Sequence, residues 1–227
     1  SVTGVQTCAL PISHITTARD MAILAQAIIR DNPKYYPIYS EKEFTYNNIK
    51  QGNRNALLYT DPSVDGLKTG HTEAAGYCLV ASSKRGNMRL ITAVMGTNSM
   101  QERADQTRAL FSWGFSSYET IKPLTAGKVL GDAQVWFGTE NHVKAGLDRD
   151  LSITLPRGQK DKVQAVTRLM PDLEAPIAKG QKVGEVVVTL DGKTISTQPV
   201  VAMEAVEETN FVVRLWHHLK RFLSNLF

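Results

Sequence analysis

Cysteine is scarce: the 227-residue chain carries two, Cys8 and Cys78. That excludes a disulfide framework and a thiolate metal cluster. Long apolar runs are missing as well, and no stretch reaches the roughly 18 consecutive apolar residues that a membrane-crossing helix needs. A large excess of charge of one sign is absent, the balance being +4 from 26 Lys and Arg against 22 Asp and Glu. No zinc finger, RNP-like aromatic pattern or dense Lys/Arg stripe accompanies it. The composition therefore argues against a nucleic-acid partner and stays compatible with an anionic surface. What is present is an ordinary globular mixture, 42% hydrophobic and 21% charged, enough for the cores of one or two domains.

Residues 1–13, SVTGVQTCALPIS, have no charge and no periodicity. They also lack the basic n-region and apolar h-region of a signal peptide. Residues 2–12 look like the in-frame translation of a sequencing-library adapter. The stretch is read as non-native, Cys8 with it, and the natural sequence upstream of His14 is expected to be missing.

Beyond it, TTARDMAILAQAIIRDNP predicts a helix. Thr17 with Asp20 makes a capping-box-like start, Met21, Leu24, Ala25 and Ile28 mark the buried stripe, and Asn32-Pro33 stops it. YYPIYSEKEFTYNNIKQGNRNALL alternates aromatic and polar residues, then turns at Gln51-Gly52-Asn53, and predicts a short strand pair and a loop. GYCLVASSKRGNMRLITAVMG predicts a hairpin around Lys84-Arg85-Gly86-Asn87. SMQERADQTRALFSWGFSSY predicts a second helix with Ala104, Thr107, Leu110, Phe111 and Gly114 inward. After Tyr118 the texture changes to short β-rich runs, AQVWFG, LSITLP, VQAVTRL, VGEVVVTL and KTISTQPVVAM, with turn residues about every ten positions. Leu190-Asp191-Gly192-Lys193 is a strong hairpin turn. Nothing in this part gathers catalytic residue types.

The last stretch, ETNFVVRLWHHLKRFLSNLF, is amphipathic at about 100° per residue. Phe211, Val212, Leu215, Trp216, Leu219, Phe222, Leu223, Leu226 and Phe227 share one arc. Arg214, His217, His218, Lys220, Arg221, Ser224 and Asn225 lie opposite, and only Val213 is out of place. Internal charges forbid spanning, so the pattern is read as a helix lying in a membrane interface; docking on the protein's own core or a partner is the competing reading. His217 and His218 point about 100° apart on a helix and have no acidic or thiol companion, so no metal is assigned to them.

The chemistry concentrates at Lys68-Thr69-Gly70, on the lip of a strand-like run. Gly70 lets a ligand backbone approach closely. The Thr69 hydroxyl can donate to a carboxylate, and the Lys68 charge favours an anion and assists proton movement. A peptide ending in a carboxylate could lie beside this strand as an added one. Cys78 with His71 might suggest a thiol–imidazole pair, but a mid-strand cysteine among apolar residues reads as buried and inert.

VDGLKTGHT followed by AGYCLVASS and MRLITAVMG resembles the third active-site motif of the penicillin-recognising serine acyltransferases. TTARDMAILAQAIIRD, YPIYSEKEF, NRNALL and PVVAMEAVEETNF are similar to D-alanyl-D-alanine carboxypeptidases of the penicillin-binding protein five and six type, over roughly residues 14–227. The resemblance implies an α/β fold over 14–118, part of a penicillin-binding, β-lactamase-like transpeptidase domain. It implies a small all-β sandwich over 119–206 and an amphipathic membrane-anchor helix over 208–227. It implies Lys68, Thr69 and Gly70 as the family's Lys-Thr-Gly, with His71 lining the cleft and Arg103 helping to hold the substrate carboxylate. It implies no cofactor, and as partners the peptidoglycan stem pentapeptide, β-lactams, an anionic membrane surface and a cell-wall protein at the β module. The place implied is the periplasmic face of the bacterial inner membrane. The family's serine nucleophile sits in Ser-x-x-Lys and its second motif reads Ser-x-Asn, and neither pattern occurs in this sequence. The chain as written is thus expected to be inactive, because loss of the nucleophile costs orders of magnitude in rate. The competing reading is a non-catalytic, membrane-surface protein that binds cell-wall material. A β-lactamase relative is disfavoured by the second domain and the terminal helix.

Overall fold

The computed structural model describes residues 15–210. The stretch read as non-native and the positions read as membrane-facing, Phe211 to Phe227, lie outside them. The chain divides into two compact units between Ser117 and Tyr118. Among the described residues no helix is long and apolar enough to cross a membrane.

The first unit opens with α1 (Ala18–Asp31), whose first turn is capped as the sequence suggests: the Asp20 amide donates to Thr17 Oγ1 at 3.1 Å. Its buried side differs from the expected stripe. Ala25 is buried with Met21, Ala22, Ile28 and Ile29 half-buried around it, while Leu24 is 51% exposed. At about 100° per residue Leu24 falls a full step off an arc centred on Ala25. A 3₁₀ turn (Tyr36–Ser40) leads to a hairpin of β1 (Glu43–Tyr46) and β2 (Ile49–Gly52). The hairpin turns at Asn47-Asn48, not at Gln51-Gly52-Asn53. Both asparagines take positive φ, 49° and 60°, the twist that a two-residue hairpin prefers. A short helix, α2 (Leu57–Thr60), precedes the central sheet.

That sheet is antiparallel, β3 (Val64–Thr72), β4 (Gly76–Arg85) and β5 (Met88–Thr97) in the order β3-β4-β5. The β4–β5 turn falls at Gly86-Asn87, inside the expected segment. Helix α3 (Met100–Ser117) follows, burying Arg103, Ala104, Thr107, Phe111, Gly114 and Phe115. Leu110, expected inward, is 42% exposed at the edge of that arc. The start of β3 is tied down twice. Asp61 accepts from the Ser63 amide and hydroxyl at 2.9 and 2.6 Å, and Arg85 Nη2 reaches its other oxygen at 3.0 Å. Deeper in, Asp65 accepts from Tyr36 Oη at 2.9 Å and from Arg89 Nη1 at 2.8 Å, and Arg89 also donates to Ser82 on β4.

The second unit is all β: β6 (Tyr118–Leu124), β7 (Val129–Trp136), β8 (His142–Gly146), β9 (Leu151–Pro156), β10 (Val163–Leu169), β11 (Leu173–Glu174), β12 (Lys182–Leu190) and β13 (Lys193–Ala202). Six strands form one sheet in the order β10-β12-β13-β8-β7-β11, and β6 pairs with β9 in a second. Alternation drives the packing. Leu151, Ile153 and Leu155 of β9 turn inward onto Val143, Ala145, Val183, Val186, Val188 and Val200 of the larger sheet. The β12–β13 hairpin turns at Asp191-Gly192, both at positive φ. The sequence reading lacks β6, β8 and β11.

Asp61 reports on the first anchor. Burial alone would push its carboxyl up, but the Ser63 hydrogen bonds and Arg85 together hold it below the ordinary carboxylate value. A depressed carboxyl adds stability above the unfolded pKa, about 3.9, and loses it as pH falls through the lower folded value. Asp61→Asn should lower the melting temperature at pH 7 by roughly 2–8 °C. The gap between variant and wild type should narrow steadily in melts taken between pH 5 and pH 3; a gap that does not change with pH would remove Asp61 from this account.

Candidate functional site

The Lys-Thr-Gly segment lies on β3, an edge strand of its sheet. Successive side chains on a strand face opposite ways. Thr69 and His71 therefore share one face, opposite Leu79 and Tyr77 on β4. Lys68 faces the other way. It is exposed, and its Nζ folds back to donate to the Thr69 carbonyl at 2.6 Å.

Arg103 comes in from the first turns of α3 and is only 4% exposed. Its Nη1 donates to the carbonyls of Gly70 at 3.2 Å and Cys78 at 3.5 Å, and its Nη2 to that of Arg54 at 3.3 Å. The guanidinium also sits 5.6 Å from the Tyr77 ring centre. Burial, with a smaller repulsion from Arg54, lowers the Arg103 pKa from its ordinary value, though a guanidinium remains charged. Among the described residues neither Arg103 nor Arg54 forms an ion pair with a carboxylate. A buried cation held only by neutral dipoles is costly and attracts an anion.

Around it is a cleft of about 280 Å³ lined by Arg54, Thr69, Gly70, His71, Tyr77, Met100 and Arg103. Thr69, Gly70, His71 and Arg103 are thus brought together; Lys68 does not line the cleft. His71 stacks on Tyr77 at 3.9 Å between ring centres. Cys78 is a free thiol and is half-buried, not the buried cysteine expected. The reason is its partner: Gly70 sits opposite Cys78 and has no side chain to cover it. The thiol hydrogen-bonds the Ala75 carbonyl at 3.4 Å.

Arg54, Tyr77 and Met100 do not stand out in the sequence. For Arg54 a signal exists in its neighbours. Asn55 is fully buried and donates through Nδ2 to the Gly66 carbonyl at 3.2 Å, while its Oδ1 accepts from the Leu57 amide. Asn53 donates to the Glu41 carbonyl at 2.9 Å and accepts from the Asn55 amide. The two asparagines bind the loop on either side and leave the arginine between them presented to the cleft.

The two glycines of β3 serve different ends. A Cβ on Gly66 would stand 2.8 Å from Tyr36 Oη and 3.2 Å from Tyr39 Cβ, whereas one on Gly70 would meet only Cys78 Cβ at 3.7 Å, an ordinary contact. Packing requires the first and leaves the second free. Gly66→Ala should therefore cost about 1–3 kcal/mol, and Gly70→Ala should leave thermal stability essentially unchanged, as paired denaturation curves would show; equal losses would place a packing constraint on Gly70 too.

Comparison with known proteins fits this geometry. Residues 2–99 match the family described as D-alanyl-D-alanine carboxypeptidase, and residues 118–208 match the family described as Penicillin-binding protein 5, C-terminal domain. The first match begins inside the stretch read as non-native, so it does not set that stretch apart. D-alanyl-D-alanine carboxypeptidase DacA of Escherichia coli is 44% identical over 214 residues, 93% of this chain and 53% of that protein. DacA of Haemophilus influenzae is 46% identical over 218 residues, 95% of this chain and 56% of that protein. The chain spans about half the length of the curated relatives it matches. The crystal structure of penicillin binding protein 5 from Haemophilus influenzae superposes with a TM-score of 0.72 at 45% identity, covering 91% of this chain and 64% of that one. With its two matched regions and a fold shared with that structure, the chain belongs to the family of D-alanyl-D-alanine carboxypeptidases.

Proposed function

We propose that this chain carries the carboxylate-binding side of the active site of a serine-type D-Ala-D-Ala carboxypeptidase. The observation that carries the reading is the cationic cleft: a buried guanidinium with no carboxylate partner among the described residues, beside a hydroxyl and a bare strand edge. A stem peptide ending in D-Ala-D-Ala has the matching features. Its free carboxylate meets the arginines and Thr69, and its backbone can lie along the open side of β3 at Gly70. The family activity is acyl transfer. A serine hydroxyl attacks the carbonyl of the penultimate D-Ala, the C–N bond breaks, terminal D-alanine leaves with the proton, and water hydrolyses the acyl-enzyme. Within this chain Thr69, Gly70 and Arg103 hold and orient the leaving end, and Lys68 supplies positive charge from the rim. A β-lactam places a carboxylate next to a reactive acyl bond, so the same cleft would seat it.

The sequence holds neither Ser-x-x-Lys nor Ser-x-Asn, and the chain by itself binds without turning over. That feature also favours the second reading, a non-catalytic protein that binds cell-wall material at a membrane surface. The amphipathic pattern over 211–227 supports peripheral attachment to the anionic inner membrane from the periplasmic side, and the β unit offers a surface to cell-wall partners.

Incubated with a D-Ala-D-Ala peptide, the 227-residue chain should release no D-alanine and take up no fluorescent penicillin. In a longer form that also carries both missing motifs, replacing Lys68 and Thr69 together by Ala should lower kcat/KM for D-alanine release at least ~100-fold. Undiminished turnover in that double variant would end the enzymatic reading. Deleting residues 211–227 from the longer form should move it from the membrane to the soluble fraction, and continued sedimentation with membranes would refute the anchor.

A further inference from the structure

Two strand edges of the β unit face each other without pairing, and we propose that the gap between β9 and β13 takes up an acidic, extended segment of a partner protein as an added strand. This gives a place and a chemistry to the partner surface named under Proposed function. It rests on the β unit alone.

β9 pairs with β6 on one side. β13 pairs with β12 from Lys193 to Val201, but with β8 only at Val201 and Ala202. Among the described residues no strand pairing joins β9 to β13, so residues 152–155 and 193–198 each keep a row of backbone groups that no neighbouring strand claims. Gln198, buried on β13, donates through Nε2 to the Arg149 carbonyl at 3.0 Å and closes one end of the gap. Further along, Ser152, Thr154 and Pro156 line a cleft of about 310 Å³ together with Leu190, Ile195 and Ser196. Arg149 thus lies beside Gln198, and residues 152–156 beside Ile195 and Ser196. The two strands run in opposite directions, and a segment between them is parallel to one and antiparallel to the other.

The cleft has the size of a single strand. A strand in a sheet fills about 4.8 by 10 Å in cross-section and rises about 3.4 Å per residue, so about two of its residues fit. An α-helix, about 10 Å thick, would fit by less than one turn. Open strand edges are where extended peptides add, with main-chain hydrogen bonds giving affinity and alternate side chains giving specificity. Ile195, 42% exposed on the lip, offers apolar surface for one of those side chains to cover.

Charge selects the occupant. The connection after Pro156 and the tip of the β12–β13 hairpin meet at the open end, where Lys162 pairs with Asp191 at 3.1 Å. These segments bring Arg157, Lys160, Lys162 and Lys193 against Asp161 and Asp191, with Glu119 of β6 nearby. Asp191 is engaged by Lys162, and Glu119 accepts from the Gly158 amide at 2.8 Å. Lys160 and Lys193 are exposed and, among the described residues, form no ion pair with a carboxylate. Acidic residues at the end of an added strand meet these two cations.

The test is an NMR titration of this chain with the peptide acetyl-Glu-Val-Thr-Val-Glu-amide. Amide resonances of 152–155 and of 193–198 should shift together, while those of the arginine cleft stay in place. The same peptide with Lys for both Glu should bind at least ~10-fold more weakly, and the chain carrying Lys160→Glu and Lys193→Glu should reverse that preference. Backbone N-methylation of either alternate set of peptide residues should weaken binding about tenfold, because a strand between two edges donates to both sides. Shifts confined to one of the two strands, a methylated set that costs nothing, or indifference to the peptide's charge would each overturn the proposal. So would the absence of shifts at millimolar peptide. A concentration-dependent dimer of the free chain that perturbs the same resonances would also overturn it, making a second copy the occupant. None of these results bears on the carboxylate reading of the other unit.

Discussion

The cleft depends on one buried charge. Placing a guanidinium at the junction of β3, β4 and the loop before α2 carries a desolvation cost that neutral carbonyls only partly offset. Because the three carbonyls belong to three segments, none of those segments can move without leaving the charge worse solvated. Arg103 is thus a source of rigidity as well as of field. The absence of an acidic partner among the described residues follows from the same logic. A protein carboxylate there would settle the charge internally and leave nothing for a ligand to complete.

The second constraint is that the functional strand lies at the edge of its sheet. An edge strand has one free row of backbone groups, which suits an added peptide and invites slippage. The chain answers by anchoring the start of β3 and leaving its end open. Asp61 with Ser63 and Arg85 holds the entry, and Asp65 with Tyr36 and Arg89 holds the next turn of the ladder. The register shift between Val64 and Gly66 falls at the second anchor, with Asp65 as its extra residue. Gly66, crowded by Tyr36 and Tyr39, belongs to the fixed part, and Gly70, with space above it, belongs to the open part.

Much of this is legible in the sequence where local chemistry decides the structure. The Thr17 cap, the Gly86-Asn87 turn and the Asp191-Gly192 turn are set by residues adjacent in the chain. The inward faces are less legible. Leu24 and Leu110 are apolar and near the right phase, but each lies at the margin of an arc whose centre is fixed by what the helix packs against. In the first hairpin Gly52 is the stronger punctuation mark by sequence, whereas two asparagines in the left-handed region make the turn. In the β unit the long valine-rich runs announce themselves, while β6, β8 and β11 are short or mixed and owe their pairing to neighbours distant in sequence. At the site, Lys68, Thr69 and Gly70 are visible as a cluster, yet which of them faces the cleft is a matter of strand phase relative to α3. Arg54 is 14 positions before Lys68, and only the fold brings it to Thr69.

The chemistry of the deeper anchor explains why it can carry a site that must keep its shape. Burial, together with the hydrogen bond to Asp65, raises the Tyr36 phenol to about 12. The phenol therefore keeps its proton, and its role as donor, through neutral and mildly alkaline pH. Arg89 supplies the other donor to Asp65 and cannot lose its charge in that range; its guanidinium also lies 5.4 Å from the Tyr36 ring centre. Both donors to the carboxylate thus persist through neutral and mildly alkaline pH, and this second hold on β3 keeps them across that range. An apolar contact there would fix the distance between strand and helix but not the register along the strand. Directional bonds to a single carboxylate fix both, and the position of Thr69 and Gly70 relative to the arginines is set by that register.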